Sequence, residues 1–138
     1  VVRRGQHELR EVRKARRAAQ AQLDSPVGTY QPDREGCRKR EWETPCDDTN
    51  TVRVQFIVWT RGKDLVDFVV NLQVLTSDGW RIVEYYDCCH GYCHLHPNNP
   101  DVDPRPIAQL DTVADVARAL HAVEAEVENR ARIIRDER

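Results

Sequence analysis

From Thr51 onward, apolar and polar residues alternate along the chain. In the run TVRVQFIVWTR (51–61), Val52, Val54, Phe56 and Val58 share one side, and Arg53, Gln55, Ile57 and Trp59 the other. That period of two is the mark of a β-strand with distinct faces. GKD (62–64) reads as a turn. LVDFVVNLQVLT (65–76) alternates again, with Val66, Phe68, Val70, Leu72 and Val74 against Asp67, Val69, Asn71 and Gln73. After SDG (77–79) come a third strand, WRIVEYYD (80–87), and a fourth, YCHLH (92–96). Both are rich in aromatic or β-branched residues or keep the alternation. Turns this short join antiparallel neighbours, so a meander is expected.

The period then lengthens. Val113, Val116, Leu120, Val123, Val127 and Ile134 recur at helical steps, an amphipathic stripe that should lie on the Val66, Phe68, Val70, Leu72 face. Thr112 and Asp115 have the spacing of a capping box at its start. Between strand and helix, PNNPDVDPRP (97–106) carries four prolines and reads as irregular. Gln6 to Leu23 has good helix formers but a thin apolar stripe, Leu9, Val12, Ala15, Ala19 and Leu23. Such a helix gains little from burial. The expected organisation is therefore a helical arm over 1–23, a long loop over 24–50, and one α+β domain over 51–138. Its sheet has four antiparallel strands, with an N-terminal helix and a long C-terminal amphipathic helix. One sheet face is left without a cover.

Length and charge sharpen this picture. The 138 residues suffice for one domain with a core. The net charge of -2 hides an asymmetry: residues 1–23 hold seven Arg or Lys against two Glu, so the arm is basic and the remainder acidic. Arg10, Arg13, Lys14, Arg16 and Arg17 are the candidates for contacting RNA phosphates or an acidic, antitoxin-like protein partner. The two terminal helices also offer faces for a homo-oligomer. No apolar run approaches the ~18 residues that would cross a membrane, and no signal-peptide pattern is visible in the first residues. Five cysteines, an odd number, argue against a fully paired secreted framework, so a cytoplasmic setting is expected.

The chemistry is concentrated in YYDCCHGYCHLH (85–96), which holds His90, His94 and His96. On a strand, Tyr92, His94 and His96 share one face, while Cys93 and Leu95 take the other. If Cys88 to Gly91 turn, Asp87 lies opposite Tyr92 and Tyr85 opposite His94. Arg81 shares the parity of Tyr85. The expected open-face cluster is then Arg81, Tyr85, Asp87, His94 and His96, with His90 at the turn. Histidines can transfer protons near neutral pH, and an arginine can stabilise a developing phosphorane. These are the parts of a metal-independent RNA-cleaving site. The competing reading is a zinc-type ion on His90, His94 and His96, with Asp87 as an alternative ligand. No CxxC knuckle supports it. A non-catalytic interaction module, with or without zinc, fits the same fold.

The stretch from Tyr86 to His96 resembles the Tyr-Asp-x-x-His-Gly-x-x-His-x-His signature of an uncharacterised family of small prokaryotic proteins. More loosely, it is similar to the TumE-like toxins of toxin–antitoxin pairs. The resemblance covers about Val52 to His96. It implies a compact ribonuclease fold of the RelE and barnase type, with Tyr86, Asp87, His90, His94 and His96 as the functional positions. This chain departs from the toxin pattern in the two cysteines before His-Gly and in its long charged C-terminal helix.

Overall fold

The computed structural model describes residues 13, 14 and 28–137. Six strands form one sheet in simple sequence order: β1 (Arg38–Pro45), β2 (Val52–Arg61), β3 (Asp64–Thr76), β4 (Gly79–Cys89), β5 (Tyr92–His96) and β6 (Arg105–Gln109). Every neighbouring pair is antiparallel. One helix, α1 (Val113–Asp136), follows.

The α+β class and the meander stand, but the four-stranded count is corrected to six. The two added strands lie at the sheet's edges. β1 falls inside the stretch expected to be a loop over 24–50. Its sequence, RKREWETP, is exposed throughout, so it has no buried face to print an alternation on the chain. Charge and a terminal proline are common on edge strands. β6 begins inside the proline-rich segment and carries Pro106. As for the expected N-terminal helix, Arg13 and Lys14 are helical, and the rest of it lies outside the described residues.

The core forms where the predicted apolar stripes meet. Val116, Ala119, Val123, Val127 and Ala131 of α1 are buried with Val54, Phe56, Phe68, Val70 and Leu72 of the sheet. The capping box is present: the Asp115 carboxylate accepts the backbone N–H groups of Asp111 and Thr112 at 2.9 and 3.0 Å. Two ion pairs clamp helix to sheet, Arg130 on buried Glu84 and Arg105 on Glu126. Arg130 Nε donates to Glu84 at 3.0 Å.

A strap of chain enters ahead of β1. Thr29 N–H donates to Asp111 Oδ1 at 3.1 Å and Tyr30 N–H to the Leu110 carbonyl at 3.0 Å. The Tyr30 hydroxyl donates to the Val66 carbonyl at 2.6 Å. Gly28 meets Gly91 backbone to backbone, so closely that a Cβ on either would collide with the other. The strap then reaches the far face, where Arg34 donates to Asp67 at 2.7 Å and its guanidinium lies 3.7 Å over the Trp59 ring.

Candidate functional site

The β4–β5 hairpin positions the site. His90 and Gly91 both have positive φ, 53° and 75°, the backbone of a two-residue turn whose twist matches the strands it joins. Glycine adopts that geometry without cost, and histidine tolerates it better than most residues. The turn sets the register: Cys89 pairs with Tyr92, Cys88 with Cys93, Asp87 with His94, Tyr86 with Leu95 and Tyr85 with His96.

This register differs from the one expected from sequence. Asp87 faces His94 rather than Tyr92, and Tyr85 faces His96 rather than His94. The expected turn was two residues too long at its β4 end. Since the slip is two residues, no side chain changes face. The gain is Cys89, which the shorter turn returns to β4 on the same face as Asp87. The His-Gly pair between alternating strands was the available signal for that turn.

On the face opposite α1, the side chains of Tyr85, Asp87, Cys89, His94 and His96 converge. His96 Nε2 lies 2.7 Å from Asp87 Oδ1. The Tyr85 and His96 rings stack with centroids 4.3 Å apart and planes 8° from parallel. Cys89 Sγ is 3.7 Å from Asp87 Oδ1 and 3.5 Å from His94 Nδ1. The His94 and His96 ring centroids are 6.2 Å apart. Burial pushes the Cys89 thiol up to about 11, and the Asp87 carboxylate adds to the shift. Burial also lowers the pKa of His94, against the pull of Asp87. Asp87 and His96 line a shallow depression of about 610 Å³ with Val69, Asn71, Ile82 and Tyr85. Next to it, a ladder of amides crosses the sheet: Asn71 and Gln73 donate to Gln55 at 2.9 and 3.3 Å, and Gln55 to Glu41 at 2.6 Å.

Other expected residues lie elsewhere. Tyr86 is fully buried on the helix side, because it has the opposite parity to Tyr85. Burial first, then the Glu126 carboxylate, push its hydroxyl above the ordinary tyrosine range, and neither its hydroxyl nor Glu126 Oε2 has a hydrogen-bond partner of good geometry. His90 is exposed at the tip of the turn. Arg81 is displaced by a bulge: Leu72 pairs with Glu84 but Gln73 with Ile82, so Val83 is the extra residue. The bulge reverses parity, and Arg81 pairs with core residue Val74 instead of sharing the face of Tyr85. The residues lining the depression include no Arg or Lys. Of the basic arm, Arg13 is exposed and Lys14 Nζ lies 3.9 Å from Asp103, while Arg10, Arg16 and Arg17 lie outside the described residues. His90 does not join the metal-type group; His94 does, with Asp87 and Cys89.

A family model described as a domain of unknown function (DUF7718) matches residues 37–136, from the start of β1 to the end of α1. No curated protein and no solved structure matches the chain.

Proposed function

Since the chain belongs to the DUF7718 family, whose description carries no activity, we propose its function from the open sheet face: it is a small, toxin-like RNA-cleaving enzyme that works by histidine proton transfer. The observation that carries this reading is the 2.7 Å contact between His96 Nε2 and Asp87 Oδ1 at the wall of the depression. A carboxylate on one ring nitrogen fixes the imidazole and leaves Nδ1 for a substrate. His94, 6.2 Å away ring to ring, is the second proton-transfer group. One histidine takes the proton of a ribose 2′ hydroxyl as its oxygen attacks phosphorus. The other supplies a proton to the departing 5′ oxygen. Tyr85, stacked on His96 and 37% exposed, offers a ring face on which a base can stack.

RNA as substrate is supported by the resemblance to the TumE-like toxins. The same comparison supports an acidic, antitoxin-like partner for the basic arm, and the apolar stripes of the terminal helices support pairing of copies. The cytoplasm is the proposed compartment, supported by five free cysteines. No described helix is long and apolar enough to cross a membrane.

The test is cleavage of a labelled single-stranded RNA by the purified chain in the presence of a chelator. His96→Ala and Asp87→Asn should each slow cleavage on the order of 100-fold while melting like the parent. Intact RNA after incubation with the chelated parent chain, or cleavage by His96→Ala at the parent rate, would sink the proposal.

A further inference from the structure

We infer that Asp87, Cys89 and His94 form a binding site for a divalent transition-metal ion of the zinc class. Three different donor types, a carboxylate oxygen, a thiol sulfur and an imidazole nitrogen, lie within 4.8 Å of one another. Ligand atoms around a tetrahedral zinc ion stand about 3.5 Å apart, given metal–ligand bonds of about 2.0–2.3 Å. Cys89 Sγ already stands at 3.5 Å from His94 Nδ1 and 3.7 Å from Asp87 Oδ1. Closing the set on an ion therefore needs only small side-chain movements.

The backbone holds the donors in place. Asp87 and Cys89 are two residues apart on β4, so they share a face, and His94 is the register partner of Asp87. The tight His90–Gly91 turn, braced by the strap at Gly28 and by Leu110 N–H on the Gly91 carbonyl at 2.7 Å, fixes that register. His96 approaches the Asp87 carboxylate at 2.7 Å, as the hydrogen-bond partners that orient metal-ligating carboxylates do. All three donors are half-buried, which leaves an approach for an ion and a remaining coordination position for water.

The donor set selects the ion. Magnesium and calcium prefer all-oxygen shells. One sulfur, one nitrogen and one oxygen suit zinc, cobalt or a similar borderline ion. Binding exchanges the thiol proton of Cys89 for the metal. Cys88 and Cys93 cannot join, because alternation sends them to the buried face.

The inference does not depend on RNA cleavage, and its test reads metal alone. Titrating the full chain with cobalt(II) should produce the near-ultraviolet band of a thiolate–cobalt bond at one ion per chain, and zinc should abolish it. Cys89→Ser should remove the band, and His94→Ala should weaken binding at least tenfold. Cys37→Ser and Cys46→Ser should keep it. On the unaltered chain, which avoids any folding defect in a variant, zinc should protect Cys89 from alkylation as mapped by mass spectrometry. Absence of a band in the parent, survival of the band in folded Cys89→Ser, its loss in folded Cys37→Ser or Cys46→Ser, or equal labelling of Cys89 with and without zinc would each overturn the site.

Discussion

The β4–β5 hairpin carries the same residue types on its two faces and puts them to opposite uses. Tyr86 and Cys88 point toward α1, where they are nearly without solvent. Tyr85 and Cys89, one residue away in each case, point to the other side, among Asp87, His94 and His96. On the helix side, Cys88 is a core atom cluster in contact with Cys93, and that contact with burial raises its pKa far above the ordinary thiol range. On the open side, Cys89 sits beside a carboxylate and an imidazole. Chemical identity therefore does not decide role here. The parity of a position in the strand does, because it sets whether the side chain is buried beneath α1 or stands on the open face with Asp87, His94 and His96.

The sharpest way to break this comparison is to truncate neighbours of opposite parity on β3. Phe68→Ala should cost about 3–5 kcal/mol by urea denaturation, the usual range for deleting a buried aromatic ring. Val69→Ala, half-buried on the open face, should cost about 1 kcal/mol. Equal costs would mean that both faces are core. A smaller effect is expected at the clamp between helix and sheet. Glu84 is buried, but its partner Arg130 is about one-third exposed, so a stranded guanidinium can still reach water. Glu84→Ala should then cost about 1–3 kcal/mol, below the figure for a fully buried pair. A cost under measurement error would show that the pair does not hold the helix.

The tyrosines give a finer contrast. Tyr86→Phe deletes a buried hydroxyl that has no well-formed hydrogen bond, so stability should change by no more than about 1 kcal/mol and RNA cleavage should be unaffected. Loss of cleavage in Tyr86→Phe would place catalysis on the helix side. The smallest expected effect is on pH dependence. The backbone N–H of Asp111, with Arg118 and the N–H of Thr112, holds the Asp115 carboxyl down to about 2, below its unfolded value of about 3.9. A depressed carboxylate adds stability above its unfolded pKa and loses it as pH falls through the folded value. Asp115→Asn should therefore flatten part of the acid-unfolding curve between about pH 4 and 2. The rest will persist, since Asp47, held near 2 by Thr51 and the backbone N–H groups of Thr51 and Val52, titrates in the same window. An unchanged curve would remove the cap from the account of helix stability.

The family match leaves function open, so the two proposals for the open face must be separated by experiment. They share Asp87 and His94 but differ in the third participant: His96 for proton transfer, Cys89 for metal. Cleavage with a chelator reads the first, and the cobalt band reads the second, so either can fail while the other stands.

What was legible in the amino-acid order was periodicity. Strands β2 to β5, the helix stripe from Val116 to Val127, the Asp115 cap and the sharing of one face by His94 and His96 all follow from spacing along a single element. These are local consequences of backbone geometry, which repeats every two residues in a strand and every 3.6 in a helix. Other features arose only when elements met. β1 and β6 are strands because β2 and β5 offer them unpaired hydrogen-bonding edges, although their own residues show no buried alternation. Arg81 left the cluster because a bulge at Val83 inserted one residue against β3. Cys89 entered it because two backbone positions, His90 and Gly91, could take positive φ and close the turn early. The amino-acid order by itself determined which side chains share a face within a strand, and the tertiary structure alone decided which strands pair, in what register, and so which of those side chains touch. The physical reason is that alternation is a property of one backbone, whereas register depends on hydrogen bonds that two backbones make together.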